Sequence, residues 1–270
     1  MLIDPFGRKI TYLRISLTDR CNYRCIYCMT EEGIALKPYE DILRYEEIER
    51  IARAGAELGI NKIRLTGGEP LVKKNVTHLV ECLAAIDGLS EVNMTTNGSL
   101  LTFQLARELK QAGLTRVNIS LDTLDKVKFA RLTRGGNIDD VFRGITAAKD
   151  AGLEPIKINM VIFQDTVVEE INALRAFCDR NQLRLQTIKH FSLYDKKDPA
   201  GAKFANRPPK CINCNRLRIT SDGYIKPCLF SSDEIKINPA DIKNSFLTAT
   251  RAKPESGSSC RNRTMCQIGG

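Results

Sequence analysis

The chain has 270 residues, 43% of them hydrophobic, and 41 Lys and Arg against 32 Asp and Glu give a net charge of +9. That content supports a sizeable core, while the lack of any apolar run near ~18 residues argues against a membrane span. The opening MLIDPFGRKI lacks the apolar stretch of a signal peptide, so a cytoplasmic location is expected, and the scattered Lys and Arg favour a small anionic partner over a polynucleotide.

In chain order, apolar runs of strand length fall at residues 12–17, 60–65, 91–95, 115–121, 154–162 and 183–189. Amphipathic segments lie between them. In residues 46–59, Ile48, Ile51, Ala52 and Leu58 share one helical face, and 75–86, 102–112, 138–151 and 167–180 behave similarly. Gly59, Gly113 and Gly152 stand just past helix ends, as C-capping glycines do. Repeated strand–helix units predict an α/β fold with a parallel sheet and right-handed crossovers. Periodicity leaves an open sheet and a partial barrel equally allowed, and both place the chemistry at the strand C-terminal ends. After His190 the pattern stops. HFSLYDKKDPAGAKFANRPPK reads as loop, 218–220 and 224–227 as a hairpin turning at Ser221-Asp222-Gly223, 239–249 as a short helix, and the tail as mostly loop. The division expected is a barrel over 1–190 and a C-terminal region over 191–270.

Ten cysteines are many for a chain without secretory features, where clustered thiols usually bind metal. Cys82 and Cys178 stand alone in helical patterns and read as small buried hydrophobes. Cys21, Cys25 and Cys28 form C-x3-C-x2-C just after the first strand. Three thiolates can hold three corners of an iron–sulfur cube and leave the fourth iron for another ligand. The competing reading is zinc, which prefers four protein ligands. Cys211, Cys214 and Cys228 form C-x2-C-x13-C, again three. Spacing alone allows a second cube with an open corner or a zinc ribbon completed by Cys260 or Cys266.

Cys21, Cys25, Tyr27 and Cys28 match C-x3-C-x-aromatic-C, and with Thr66-Gly67-Gly68-Glu69-Pro70 the sequence resembles the radical S-adenosylmethionine superfamily. The resemblance implies a partial (β/α)6 TIM-like barrel with a C-terminal iron–sulfur extension. It also implies a [4Fe–4S] cluster on Cys21, Cys25 and Cys28, and one-electron cleavage of S-adenosylmethionine to a 5′-deoxyadenosyl radical. Tyr27, Gly67, Gly68, Glu69, Thr95, Asn97 and Ser120 would bind S-adenosylmethionine.

CNRLRITSDG-x3-PCLF, DPFGRK-x2-YLRISLTDRCN-x-RC-x-YC, Pro155-Ile156-Lys157-Ile158-Asn159 and the final Gln267-Ile268-Gly269-Gly270 narrow this resemblance to the MoaA family, the GTP 3′,8-cyclases of molybdenum cofactor biosynthesis. That resemblance implies a second [4Fe–4S] cluster on Cys211, Cys214 and Cys228, touching the guanine through its open iron. Arg14, Lys62, Arg64, Lys157, Arg216 and Arg218 would hold the triphosphate and ribose, since guanidinium forks fit phosphate oxygens. The radical would take the ribose 3′ hydrogen, and the ribose would then close onto C8 of guanine, the first step of molybdopterin biosynthesis. Gly269 and Gly270 would thread beside the substrate. The expected partners are a nucleotide substrate and an external electron donor, without nucleic acid or membrane; homodimerisation stays open.

Two features depart from the family pattern. The segment before the second cysteine set is shortened, and LQTIKHFSLYD replaces an Arg-Phe-Ile-Glu type stretch. Cys266 stands where a small residue is usual and pairs with Cys260 as a third cysteine set, read here as inert or structural. A Cys266 that reached the second cluster would close its open corner. The shortening keeps a second reading alive, a MoaA-like enzyme acting on another nucleotide or a peptide. A zinc-bound interaction module without catalysis is the reading from a different class.

Overall fold

The computed structural model describes residues 1–193 and 211–269. Among the described residues, five strand–helix units and a sixth strand build the scaffold: β3 (Tyr12–Ser16) and α1 (Tyr45–Glu57), β4 (Lys62–Thr66) and α2 (Val76–Ala84), β5 (Glu91–Thr96) and α3 (Phe103–Gln111), β6 (Arg116–Ser120) with α4 (Lys126–Thr133) and α5 (Ile138–Asp150), β7 (Lys157–Ile162) and α6 (Val168–Arg180), and then β8 (Arg184–Lys189). β3 to β8 pair in parallel in sequence order. Before them, β1 (Leu2–Ile3) and β2 (Lys9–Ile10) form a small antiparallel pair.

The strands are two-faced, as a period of two requires. Leu13, Ile15, Ile63, Leu65, Met94, Val117, Ile119, Ile158 and Met160 are fully buried. They belong to the same core as helix residues such as Ile48, Ile51, Leu79, Leu109 and Ile145. The alternate positions (Arg14, Arg64, Asn93, Asn118 and their neighbours) are polar and face the hollow of the sheet. An apolar shell outside and a polar lumen inside make a partial barrel.

The expected elements are present, with ends shifted by one to three residues. α4 is a difference, since no helix is expected there. Asp125 caps it by accepting from the Lys128 amide at 2.7 Å, Phe129 and Leu132 are buried, and Arg134 ends it in a left-handed conformation at φ 52°. Its C-terminal carbonyls serve the first cysteine loop: Arg24 N donates to Thr133 O at 3.1 Å and Ile26 N to Leu132 O at 3.0 Å.

The expected hairpin also forms, as β9 (Arg216–Ile219) and β10 (Tyr224–Lys226), followed by the short β11 (Ile235–Lys236). β9 further lies parallel against β3, with Tyr12 opposite Arg216 and Arg14 opposite Arg218. One nine-stranded sheet results, in the order β11-β10-β9-β3-β4-β5-β6-β7-β8. α7 (Ile242–Arg251) covers it with Phe246 fully buried, and the tail, expected as loop, contains a turn of helix, α8 (Met265–Ile268). Cys178 is buried as expected; Cys82 is only half-buried, with its Sγ 3.7 Å from His78 Nε2. Among the described residues no helix is long and apolar enough to cross a membrane.

Candidate active site

A cavity of about 720 Å³ opens at the C-terminal ends of the parallel strands. Cys21, Cys25 and Cys28 line one side of it. The loop that carries them is tightly turned: the amides of Cys28 and Met29 donate to Cys25 O at 2.9 and 3.2 Å. Arg134 Nη1 bonds the carbonyls of Arg24 and Met29 at 3.0 and 2.9 Å, and Arg24 bonds Cys21 O at 2.6 Å. Burial pushes the Cys21 thiol up to about 11 and Cys25 to about 12, so iron must displace their protons. Among the described residues no three Cys, His, Asp or Glu side chains converge on a single metal ion. A cube instead spreads its thiolates over separate irons, and three thiols on one cavity wall suit it.

Alongside the start of the cysteine loop runs Gly67-Gly68-Glu69, which lines the same cavity. Gly68 N and Glu69 N donate to Thr18 O and Arg20 O at 2.7 and 2.9 Å, extending the β3–β4 pairing toward the cysteine loop. A Cβ on Gly67 would lie 2.7 Å from Thr18 O, and one on Gly68 would overlap Arg20 O. The glycines are therefore required by this backbone packing, a reason separate from close approach to a ligand. Glu69 is buried and accepts from Thr96 Oγ1 at 2.7 Å, Asn97 N at 2.7 Å and Leu71 N at 3.0 Å. Burial outweighs these three donors and lifts its carboxyl to about 7.

Asn97 stands between this carboxylate and the thiols, with its Nδ2 at 2.8 Å from Asn22 Oδ1 and 4.0 Å from Cys21 Sγ. Thr95 and Ser120 line the cavity at the ends of β5 and β6. Tyr27 donates from its hydroxyl to Asp122 at 2.8 Å and packs on Phe163, which in turn packs on His190.

Of the six expected basic residues, Arg14, Arg216 and Arg218 line the cavity. Lys62, Arg64 and Lys157 stand on the same sheet, Arg64 in register with Arg14 and Lys62 with Tyr12. Lys62 pairs with Glu91 at 2.7 Å, and Arg64 donates to Tyr12 Oη at 2.6 Å and Thr95 Oγ1 at 3.2 Å. Burial, then the cations Arg116, Arg64, Arg184 and Lys62, lower the Lys157 ammonium. Burial and then Arg218 press Arg14 well below its ordinary range; burial and then Arg216 lower Arg218 to about 10. The buried Nε atoms of Arg116 and Arg216 have no hydrogen-bond partner among the described residues. Cations packed this closely repel one another, and an anion between them would relieve the repulsion.

The second cysteine set does not line this cavity. Cys211 begins a single 3-10 turn, with the Cys214 amide donating to its carbonyl at 3.0 Å, and Cys228 follows β10. The N-terminal turn holds this region: Arg8 pairs with Asp4 and donates to Cys211 O at 2.7 Å, Pro254 O at 2.6 Å and Glu255 O at 2.8 Å. Lys253 donates to Arg216 O at 2.8 Å and Pro227 O at 2.7 Å. Burial raises the Cys214 thiol, but Lys253, the Arg216 amide and the Arg216 side chain outweigh it and leave it below its ordinary value. Gly257 packs on Cys228, whose Sγ would lie 2.8 Å from an added Cβ.

Cys260 is fully buried among Leu193, Leu229, Phe230 and Ile268, as the structural reading expects. Cys266 lines the large cavity beside the first thiol set rather than reaching the second. Gly269 O accepts from Arg218 at 3.0 Å, while Gly270 lies outside the described residues.

Asp122 is expected at the cofactor site through the Ser120-Leu121-Asp122 stretch, without its bond to Tyr27; sequence reasoning passed over Asn159 and Gln186, which line the cavity, and Arg116 and Arg184, which act on Lys157. The signal was available in alternate polar residues along each strand: Arg116-x-Asn118-x-Ser120, Lys157-x-Asn159 and Arg184-x-Gln186.

Residues 15–178 match the radical SAM superfamily model. Among curated proteins, the GTP 3′,8-cyclase of Peptoclostridium acidaminophilum is 42% identical over 322 aligned positions, covering 100% of this chain and 98% of that one. The enzyme of the same name from Thermodesulfovibrio yellowstonii is 39% identical over 321 positions, covering 99% of both. Both alignments are longer than this 270-residue chain, so the relatives carry residues that it lacks. Among solved structures, native anSMEcpe with bound AdoMet superposes with a TM-score of 0.67 at 19% identity, covering 87% of this chain and 79% of that one. Streptococcus suis SuiB bound to S-adenosylmethionine gives 0.57 at 21% identity over 74% of this chain and 44% of that one. Thiol triad, glycine-rich strand, partial barrel and near full-length identity agree: this chain belongs to the radical SAM superfamily and, within it, to the GTP 3′,8-cyclase family.

Proposed function

We propose that this chain converts GTP to a 3′,8-cyclo nucleotide, and that residues 1–190 supply the barrel and 191–270 a second iron–sulfur site. Beyond the family relationship, the carrying observation is the group of closely packed cations that lines the same cavity as the first thiol set. A triphosphate is the class of anion whose charge matches several guanidinium groups at once.

A [4Fe–4S] cluster on Cys21, Cys25 and Cys28 would supply the electron that splits S-adenosylmethionine into methionine and a 5′-deoxyadenosyl radical. Glu69 would take the methionine ammonium, with Thr96 and Asn97 fixing its carboxylate. Thr95 and Ser120 offer hydroxyls from the strand ends, and Tyr27, locked by Asp122, walls the site. Arg14, Arg216 and Arg218 would hold phosphate at the cavity, and Lys62, Arg64 and Lys157 would extend the positive field. Cys211, Cys214 and Cys228 would hold the second cluster beside Arg216 and Arg218, near the base end of the substrate. Forming a bond between C3′ and C8 of one molecule requires ribose and base to stay in fixed relation while water is excluded. A lumen walled by parallel strands supplies groups on several sides for that positioning.

A second reading is favoured by one feature: Gln186, uncharged, lines the cavity in the stretch where the Arg-Phe-Ile-Glu pattern is replaced. On that reading the substrate carries less charge, as another nucleotide or a peptide would. Anaerobic incubation with S-adenosylmethionine and reductant separates the two. GTP, but not ATP or a peptide, should yield 5′-deoxyadenosine together with a cyclised, pterin-convertible nucleotide. Uncoupled 5′-deoxyadenosine with GTP would favour the second reading.

A further inference from the structure

One thiol in the cavity has no part in the chemistry above. Cys266 shares the cavity wall with Cys21, Cys25 and Cys28, and is 3% exposed. Its position is fixed by the tail around it. Thr264 N donates to Gln267 Oε1 at 3.0 Å, Thr264 Oγ1 lies 3.2 Å from Cys266 Sγ, and Arg218 Nη1 holds Gly269 O at 3.0 Å. Gly269 abuts the start of the glycine-rich strand so closely that an added Cβ would overlap Thr66 Oγ1 and lie 3.4 Å from Gly67 N. The tail thus brings a fourth thiol to the side of the cavity where S-adenosylmethionine would dock.

We propose that Cys266 is a displaceable fourth ligand of the cluster held by Cys21, Cys25 and Cys28: it covers the open iron when S-adenosylmethionine is absent and leaves when that cofactor binds. The inference rests on the reading that this triad holds a four-iron cube. Four-cysteine ligation is the ordinary state of such cubes, and a three-cysteine cube exposes one labile iron. The exchange is a ligand substitution without electron transfer. The iron–sulfur bond to Cys266 breaks, bonds from the methionine amino and carboxylate groups form, and the released thiolate takes a proton from solvent. The moving part is small, since α8 has four residues and ends at Gly269 with φ 76°. The consequence is protection of the cluster during the cofactor-free part of the cycle, at the expense of apparent cofactor affinity.

The test uses anaerobic holoenzyme with iron counted beforehand, comparing the unaltered chain with Cys266→Ala and Cys266→Ser. Equilibrium dialysis should show S-adenosylmethionine binding about tenfold tighter in both variants, because a competing ligand is gone. Ser keeps the volume and removes the thiolate, so tightening in Ala alone, from added space, would overturn the proposal. Mild oxidation without S-adenosylmethionine should give about one additional [3Fe–4S] spin per chain in the variants, read by electron paramagnetic resonance. Unchanged affinity, or an unchanged [3Fe–4S] yield, overturns the proposal while leaving the cluster reading intact. Absence of triad iron from the unaltered chain would sink that underlying reading instead, and iron counting tells the two failures apart.

Discussion

The two cysteine triads are built in opposite ways. Cys21, Cys25 and Cys28 lie within one eight-residue loop, are held by the last carbonyls of α4, and carry thiols that burial makes hard to ionise. Cys211, Cys214 and Cys228 are split across the β9–β10 hairpin and positioned by groups distant in sequence, namely Arg8, Lys253 and Gly257. There a neighbouring cation keeps the Cys214 thiol easier to ionise. The first triad draws its ligands from one loop, which Arg134 and the carbonyls of α4 brace from far along the chain, and the second draws its ligands from both ends of a hairpin. Substitutions at the first triad should therefore act on cluster and cofactor binding, whereas those at the second should act on GTP cyclisation.

The largest expected contrast comes from removing one thiol at each site. Cys25→Ala should abolish 5′-deoxyadenosine formation, a loss of about a thousandfold or more, and lower iron by about four per chain. Cys214→Ala should also lose about four irons yet still cleave S-adenosylmethionine without cyclising GTP. Iron and product counting on both variants checks this, and loss of cleavage in Cys214→Ala would erase the contrast. Arg218→Ala should follow, raising the GTP dissociation constant by about 10- to 100-fold through the loss of charge-assisted phosphate contacts, with S-adenosylmethionine binding changed little. Direct binding assays with each ligand would show the split.

A subtler separation comes from pH. Glu69 must be ionised to take an ammonium, and its carboxyl sits at about 7, above its ordinary value, because it is buried. S-adenosylmethionine affinity should therefore fall about tenfold from pH 8 to pH 6, and in Glu69→Gln it should be weak and flat over that range. In the cofactor-free protein the sign reverses. A raised carboxyl stabilises the fold at low pH, and that contribution is lost as pH rises from about 4.5 to about 7. The smallest effect is expected at Lys253, remote from the first triad. Lys253→Met removes two buried carbonyl contacts and should cost about 2–3 kcal/mol of stability while loosening iron at the second triad alone. Denaturant melts and iron retention would measure it.

Legibility in the sequence follows the same divide. Strand–helix alternation and the eight-residue cysteine loop are local, and both are visible from periodicity and spacing. The parallel pairing of β9 with β3 is not, because it joins Tyr12 to Arg216 with no periodic signal at either end. α4 was missed because eight residues carry too few turns to show a face, and its identity rests on the Asp125 cap and the left-handed Arg134. Glu69 and the glycines were found by motif, yet the packing of Gly68 against Arg20 O is a fact of the fold. Cys266 shows the limit most sharply. The sequence reads it as inert or structural, with the second triad as the alternative, and the tail carries it to the cavity of the first.

The central claim is that this lumen holds GTP with its ribose facing the first triad, and GTP deuterated at C3′ tests it most directly. After anaerobic turnover, the account predicts one deuterium in the 5′-deoxyadenosine formed and a matching amount of cyclised nucleotide. Unlabelled 5′-deoxyadenosine, formed whether or not GTP is present, would contradict it.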